Sequence, residues 1–143
     1  MVTAPLDLEL LAEEAGEGSA PLPSDTALGH LHFHVGDLEA AGMFFEKGLG
    51  FDVTSRRFPG ARFLSAGGYH HHVGLNTWAG DRRASPRATG LTGYALSLPP
   101  AGWDRLARHL REIRMPFLAK DEAITITDPC GHEFALAPSN GMS

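Results

Sequence analysis

"GHLHFHVGDLEAAGMFFEKGLGFDV", Gly29 to Val53, is the stretch whose reading decides the fold. Its first part, His30–Val35, alternates strictly. Leu31, Phe33 and Val35 fall on one side of an extended chain, and His30, His32 and His34 fall on the other. Period-two alternation marks a strand with one buried face. Asp37 then stands where an N-cap belongs. The run after it, "LEAAGMFFEKGLG", has helical spacing with Leu38, Ala41, Phe44 and Phe45 on one face. The glycines at 48 and 50 stop that helix.

Working outward, three short strands follow: Phe51–Arg56, Arg62–Ser65 and His70–Trp78, with Gly67 and Gly68 making the last hairpin turn. After a polar link, Gly80–Gly90, the same order recurs. Tyr94–Leu98 reads as a strand, and Ala101–Arg114 as a helix with Leu106, Leu110 and Ile113 inward. Phe117–Ala119, Ala123–Thr127 and Glu133–Ala137 read as strands, and "DPCG", Asp128–Gly131, is a turn signal. The core is therefore β-α-β-β-β written twice, as units 28–80 and 90–138 of a single domain, 28–140. Leu31, Phe33 and Val35 overlay Tyr94, Leu96 and Leu98, which sets His30 on Gly93; overlaying the turn glycines Gly68 and Gly131 sets His72 on Ala135. One such unit cannot bury its sheet. The expected fold is α+β, the two units forming a half-open barrel with a central cleft. In front, residues 1–27 read as an appended helix, "PLDLELLAEEA" from Pro5 to Ala15, and a linker.

A chain of 143 residues with 43% hydrophobic and 20% charged residues suits one soluble domain. Its net charge of −5, with Arg56, Arg57, Arg82, Arg83 and Arg87 scattered over turns, argues against nucleic acid or an anionic membrane as partner. No apolar run is long enough to span a bilayer, and "MVTAPLDLEL" does not read as a signal peptide. The single cysteine, Cys130, excludes an intramolecular disulfide and fits a cytoplasmic location. It falls in a turn and reads as a plain turn residue.

Chemistry concentrates in the histidines. On the predicted strand within "GGYHHHVGLNTWAG", Gly67–Gly80, residues His70, His72, Gly74 and Asn76 share one face, and His71, Val73 and Leu75 share the other. A His-x-His pair on a strand presents two imidazoles to one ion, and imidazole suits Zn, Fe, Ni or Cu. His30 and His72 are expected in the cleft, His34 and His71 in structural roles, and Asn76 and Trp78 at the cleft mouth. No glycine loop of the phosphate-cradling kind is present.

Gly29-His30, Val35, Asp37-Leu38, Phe44-Phe45 and Leu49-Gly50-Phe51, extended by "FLSAGGYHHHVGLNTWAG" and "DPCGHEFALAP", resemble the vicinal oxygen chelate superfamily of glyoxalase I, bleomycin-resistance proteins and extradiol dioxygenases. The nearest resemblance is to the second domain of catechol dioxygenase-like proteins. It implies metal-dependent ring opening of a catechol-type substrate, with Fe(II) held by two histidines and a carboxylate. The first ligand of that pattern falls on His30, the second on Gly93 and the third on Ala135, and neither glycine nor alanine can bind a metal. His72 matches a position that supplies a catalytic base or a further ligand, so it is expected to act as a general base or to stabilise a reacting oxygen. A shifted site for a divalent ion, Fe or Zn, would draw on His30 or His32, His70 or His72, and Glu133. The alternative is a metal-free binding or resistance-type module whose cleft holds a small aromatic ligand against the histidines and Trp78. The resemblance also implies a homodimer, or pairing with a separately made first domain.

Overall fold

The computed structural model describes residues 5–15, 21–80, 90–120 and 122–139. The first unit runs β1 (Leu31–His34), α2 (Leu38–Met43), β2 (Asp52–Ser55), β3 (Ala61–Ser65) and β4 (Val73–Asn76), behind a leading helix α1 (Leu8–Ala15). The second runs β5 (Gly93–Leu98), α3 (Pro100–Glu112), β6 (Leu118–Lys120), β7 (Ala123–Thr127) and β8 (Glu133–Pro138). Each unit makes a four-stranded mixed sheet, β1-β4-β3-β2 and β5-β8-β7-β6, in which only the first pair is parallel. The architecture is α+β, two β-α-β-β-β units, and the barrel does not close. Most of the link between the units, 81–89, lies outside the described residues, as do Arg82, Arg83 and Arg87.

Local chemistry accounts for the elements. Asp37 is extended and its Oδ1 accepts the Ala40 N–H at 2.9 Å, closing the first turn of α2. That helix then widens into a π turn, Phe44–Gly48, where the Leu49 N–H reaches back to the Phe44 carbonyl. Phe45 ends up 1% exposed, stacked near Phe33 and edge-on to Phe44 and Phe51. In α3, Leu106, Ala107 and Leu110 point inward. Ile113, expected among them, is 43% exposed because the helix ends at Glu112, and Arg114 turns away with φ 55°.

One core joins both units. Phe33, Val35, Phe45, Leu64, Val73 and Leu75 pack with Leu106, Leu110, Ile124, Ile126, Phe134 and Leu136. The seam is aromatic: Phe33 meets Tyr94 at 5.4 Å between ring centroids, and Tyr94 stacks on Phe134 at 4.7 Å. His109 donates across it from Nε2 to the Lys47 carbonyl at 2.7 Å. Helix α1 contributes nothing buried; Leu6, Leu8, Leu10 and Leu11 all stay in solvent.

The ladder registers correct one part of the sequence overlay. Leu31 pairs with Val73 and Tyr94 with Phe134, so His72 corresponds to Glu133, and Ala135 corresponds to Gly74. Aligning the turn glycines misses this because the arch carrying three histidines is two residues longer than its counterpart. The overlay of the first strands holds: Gly93, Ala95 and Ser97 occupy the places of His30, His32 and His34, and all three are exposed.

Candidate functional site

The exposed face of β1 carries the site. Phe33 and Val35 are buried while His32 and His34 project outward, as alternation requires. Beyond the hairpin, Gly67 and Gly68 take φ of 65° and 78°, a conformation that glycine adopts without strain. The chain then arches through Tyr69–His72 before the ladder resumes at Val73. Bends at His70 and His72 break the two-residue alternation. His71 therefore turns in among the other histidines instead of following Val73 and Leu75.

Three side chains converge there. His30, His70 and His71 each offer a ring nitrogen, and these nitrogens lie within 4.8 Å of one another. His71 is 5% exposed and packs on Phe63 at 4.9 Å, with His30 and His70 exposed in front of it. His32 stands behind: its Nε2 shares a hydrogen bond of 3.2 Å with Nε2 of His71. That position for the His32 ring needs Gly74, since a Cβ there would come within 2.6 Å of the ring. Nδ1 of His71 is buried and has no hydrogen-bond partner.

Electrostatics disfavour charge on the two inner rings, His71 and His32. Burial first, and then the neighbouring His30, His70, His32 and His72, bring the His71 pKa down to about 4. Burial and the charge of His30 lower that of His32 as well. The His71 lone pair that a cation would need is thus not blocked by an extra proton at neutral pH.

The other candidates lie elsewhere. His72 points its Nδ1 at the hairpin, accepting the Ala66 N–H at 3.3 Å with Ser65 Oγ at 3.1 Å. Its proton therefore sits on Nε2. Asn76 is buried and its Oδ1 is committed to His34 Nδ1 at 2.6 Å and to the Trp78 N–H at 3.2 Å. Trp78 is 60% exposed and anchored by Nε1 to the Pro59 carbonyl. Glu133 is exposed on β8 of the second sheet and is not part of the His30, His70, His71 group. Among the described residues, neither a carboxylate nor a second-unit residue joins that group. Two participants escaped the sequence reading. His71 was hidden by extending strand parity too far back. Tyr69, which packs on His70 at 4.1 Å and His72 at 4.7 Å, carried no signal beyond its place beside them.

The donor set can be tested against a metal. His30, Gly93 and Ala135, the ligand positions implied by resemblance, do not fit, because two of them carry no donor atom. A side chain at Gly93 would also come within 2.9 Å of the Glu133 carbonyl. His30, His70 and His71 do fit: three imidazoles, one with an enclosed and unpartnered nitrogen, make a donor set suited to a divalent transition metal.

Comparison with known proteins agrees with the fold. The model of the Glyoxalase/Bleomycin resistance protein/Dioxygenase superfamily matches residues 27–136. Catechol-2,3-dioxygenase of Bacillus subtilis (strain 168) is 42% identical over 136 residues, 90% of this chain and 47% of that protein. The chain thus spans about half the length of this relative. Among solved structures, lactoylglutathione lyase from Agrobacterium tumefaciens superposes with a TM-score of 0.60 at 17% identity, covering 82% of this chain and 96% of that one. The fosfomycin resistance protein FosX from Mesorhizobium loti does so at 0.53 and 19%, covering 78% and 90%. At these identities the structural matches speak for the fold alone.

Proposed function

The chain belongs to the Glyoxalase/Bleomycin resistance protein/Dioxygenase superfamily, and from that premise we propose that it holds one divalent metal ion on His30, His70 and His71 and acts on a small catechol-type aromatic. The observation that carries this reading is His71: buried, uncharged, and with Nδ1 unpartnered beside two exposed imidazoles. A buried polar atom without a partner costs about 1–3 kcal/mol unless something satisfies it, and a metal does. When bound, the ion would supply Lewis acidity to adjacent phenolic oxygens and, as iron, the redox capacity for dioxygen chemistry. Ring cleavage is the finer part of the proposal, supported by likeness to the catechol-2,3-dioxygenase.

This chain's own residues have separable tasks. His32 holds Nε2 of His71 and so fixes its ring, the usual duty of a partner behind a metal ligand. Tyr69 packs against His70 and His72 and limits their swing. His72, with Nδ1 occupied by the Ala66 N–H, presents Nε2–H and serves as a hydrogen-bond donor to a substrate oxygen. Of the two roles expected for it, stabilising a reacting oxygen suits this tautomer and proton abstraction does not.

The test is metal content and turnover of the full chain, purified without chelator and reloaded with Fe(II) under nitrogen. About one iron per chain is expected, lost in His71→Ala and retained in His72→Ala, with catechol ring opening abolished in both. A protein that takes up no iron, or that takes up as much iron in His71→Ala as in wild type, overturns the reading. In that case the imidazole face, with the bare Gly93, Ala95 and Ser97 of the second unit, supports metal-free binding of planar ligands, read as stabilisation on adding them.

A further inference from the structure

The turn that closes the second unit carries donors that the histidine face does not use. Asp128, Cys130 and His132 each offer a ligand atom, and these atoms lie within 4.8 Å of one another. The turn is already set without help from an ion. Asp128 Oδ1 accepts the N–H groups of Cys130 at 2.8 Å and His132 at 2.9 Å, and Gly131 takes φ of 89°. Asp128 donates its own N–H to the His132 carbonyl at 2.9 Å. Three donors therefore sit on a stiff loop only five residues long, so little ordering would be needed for them to meet one ion.

The surroundings leave a charge in want of a cation. The Asp128 carboxylate is 1% exposed, and among the described residues its one salt-bridge partner is His132, whose Nδ1 lies 3.0 Å from Oδ2. Beside it the Tyr94 hydroxyl is buried, facing the Asp128 carboxylate without a well-formed hydrogen bond among the described residues. Burial first, then the charges of Asp128 and Cys130 and hydrogen bonding to Asp128, push its pKa upward. Burial and Asp128 also push the Cys130 thiol up, which rules against a reactive thiolate nucleophile in the bare turn. A bound cation reverses that balance: it neutralises the carboxylate and draws the sulfur into its thiolate form.

We infer that Asp128, Cys130 and His132 form a second metal site, for a borderline-soft divalent ion such as Zn²⁺. Thiolate, imidazole and carboxylate are the usual zinc donors, and around a tetrahedral ion they stand about 3.3–3.6 Å apart. Cys130 is exposed, so a change of its rotamer is open to it. Three protein ligands leave a fourth position open. The site is separate from the histidine face, because His132 packs on the Phe33 ring at 5.5 Å, on the buried side of β1.

The single cysteine makes the test specific, since any sulfur-to-metal charge-transfer band must come from Cys130. Reduced full-length protein is titrated with Co²⁺ and followed in the near ultraviolet. A thiolate–cobalt band is expected, saturating at one ion per chain when the histidine site is removed by His71→Ala. Cys130→Ser should abolish it, His132→Ala should weaken binding at least tenfold, and His71→Ala should leave it unchanged. Zn²⁺ should also slow alkylation of Cys130 by iodoacetamide at least tenfold. Absence of the band at saturating Co²⁺ overturns the inference. So does a band of unchanged affinity in a folded His132→Ala variant, which would mean capture by the thiol alone.

Discussion

Gly74→Ala tests the support behind His71 directly. Gly74 sits on β4 opposite His32, and a Cβ added there would lie 2.6, 2.8 and 2.9 Å from three atoms of the His32 ring. Ordinary contact is about 3.5–4.0 Å, so the ring must leave its place. Forcing that movement costs about 1–3 kcal/mol. Once His32 has swung away, Nε2 of the buried His71 loses its partner, at a further cost of about 1–3 kcal/mol. Against this, replacing glycine at an unstrained φ restricts the unfolded chain and gains about 0.4–1 kcal/mol. The net expectation is a loss of about 2–4 kcal/mol, measured by urea unfolding of chelator-treated protein. The decisive comparison is the same substitution in a His32→Ala background. There the obstruction is gone and His71 already lacks its partner, so Gly74→Ala should be neutral or slightly stabilising. Equal losses in the two backgrounds would refute the reasoning, because the cost would then have nothing to do with the His32 ring.

Gly93→Ala should destabilise by about 1–3 kcal/mol in thermal or urea melts, since its Cβ would press on the Glu133 carbonyl; a gain in stability would contradict that contact. Metal-free protein should lose stability as the pH falls from 6.5 toward 4, by no more than about 3 kcal/mol from His71. Its folded pKa of about 4 lies below the unfolded value, so the unfolded chain takes the proton first and the contribution is whole only above 6.5. A flat pH profile over that window, compared with His71→Phe, would count against it. Asp37→Ala should cost about 1 kcal/mol by removing the cap of α2, and Asp37→Asn much less. Phe33→Ala should cost about 3–5 kcal/mol, because this ring bridges the two units at Tyr94 and His132; a value near that of a surface site would deny the shared core.

The sequence by itself determined the fold class, because the signals involved are local. Alternation in His30–Val35, the cap at Asp37 and the twofold recurrence of β-α-β-β-β depend on neighbours within a few residues. It also showed that the histidines of β1 share one face, and that Gly93 brings no donor to the matching place in the second unit. Only the tertiary structure decided which histidines meet. Strand parity assigned His71 to the wrong side because the ladder starts at Val73, and an arch begun by two positive-φ glycines obeys no two-residue period. The matching of His72 with Glu133 likewise needed the hydrogen-bond register, since the two loops differ in length. The turn at Asp128 gives the same lesson from the other side. Its three donors are close in the chain and legible as letters, but the burial of the Asp128 carboxylate and the packing of His132 on Phe33, distant in sequence, belong to the tertiary structure.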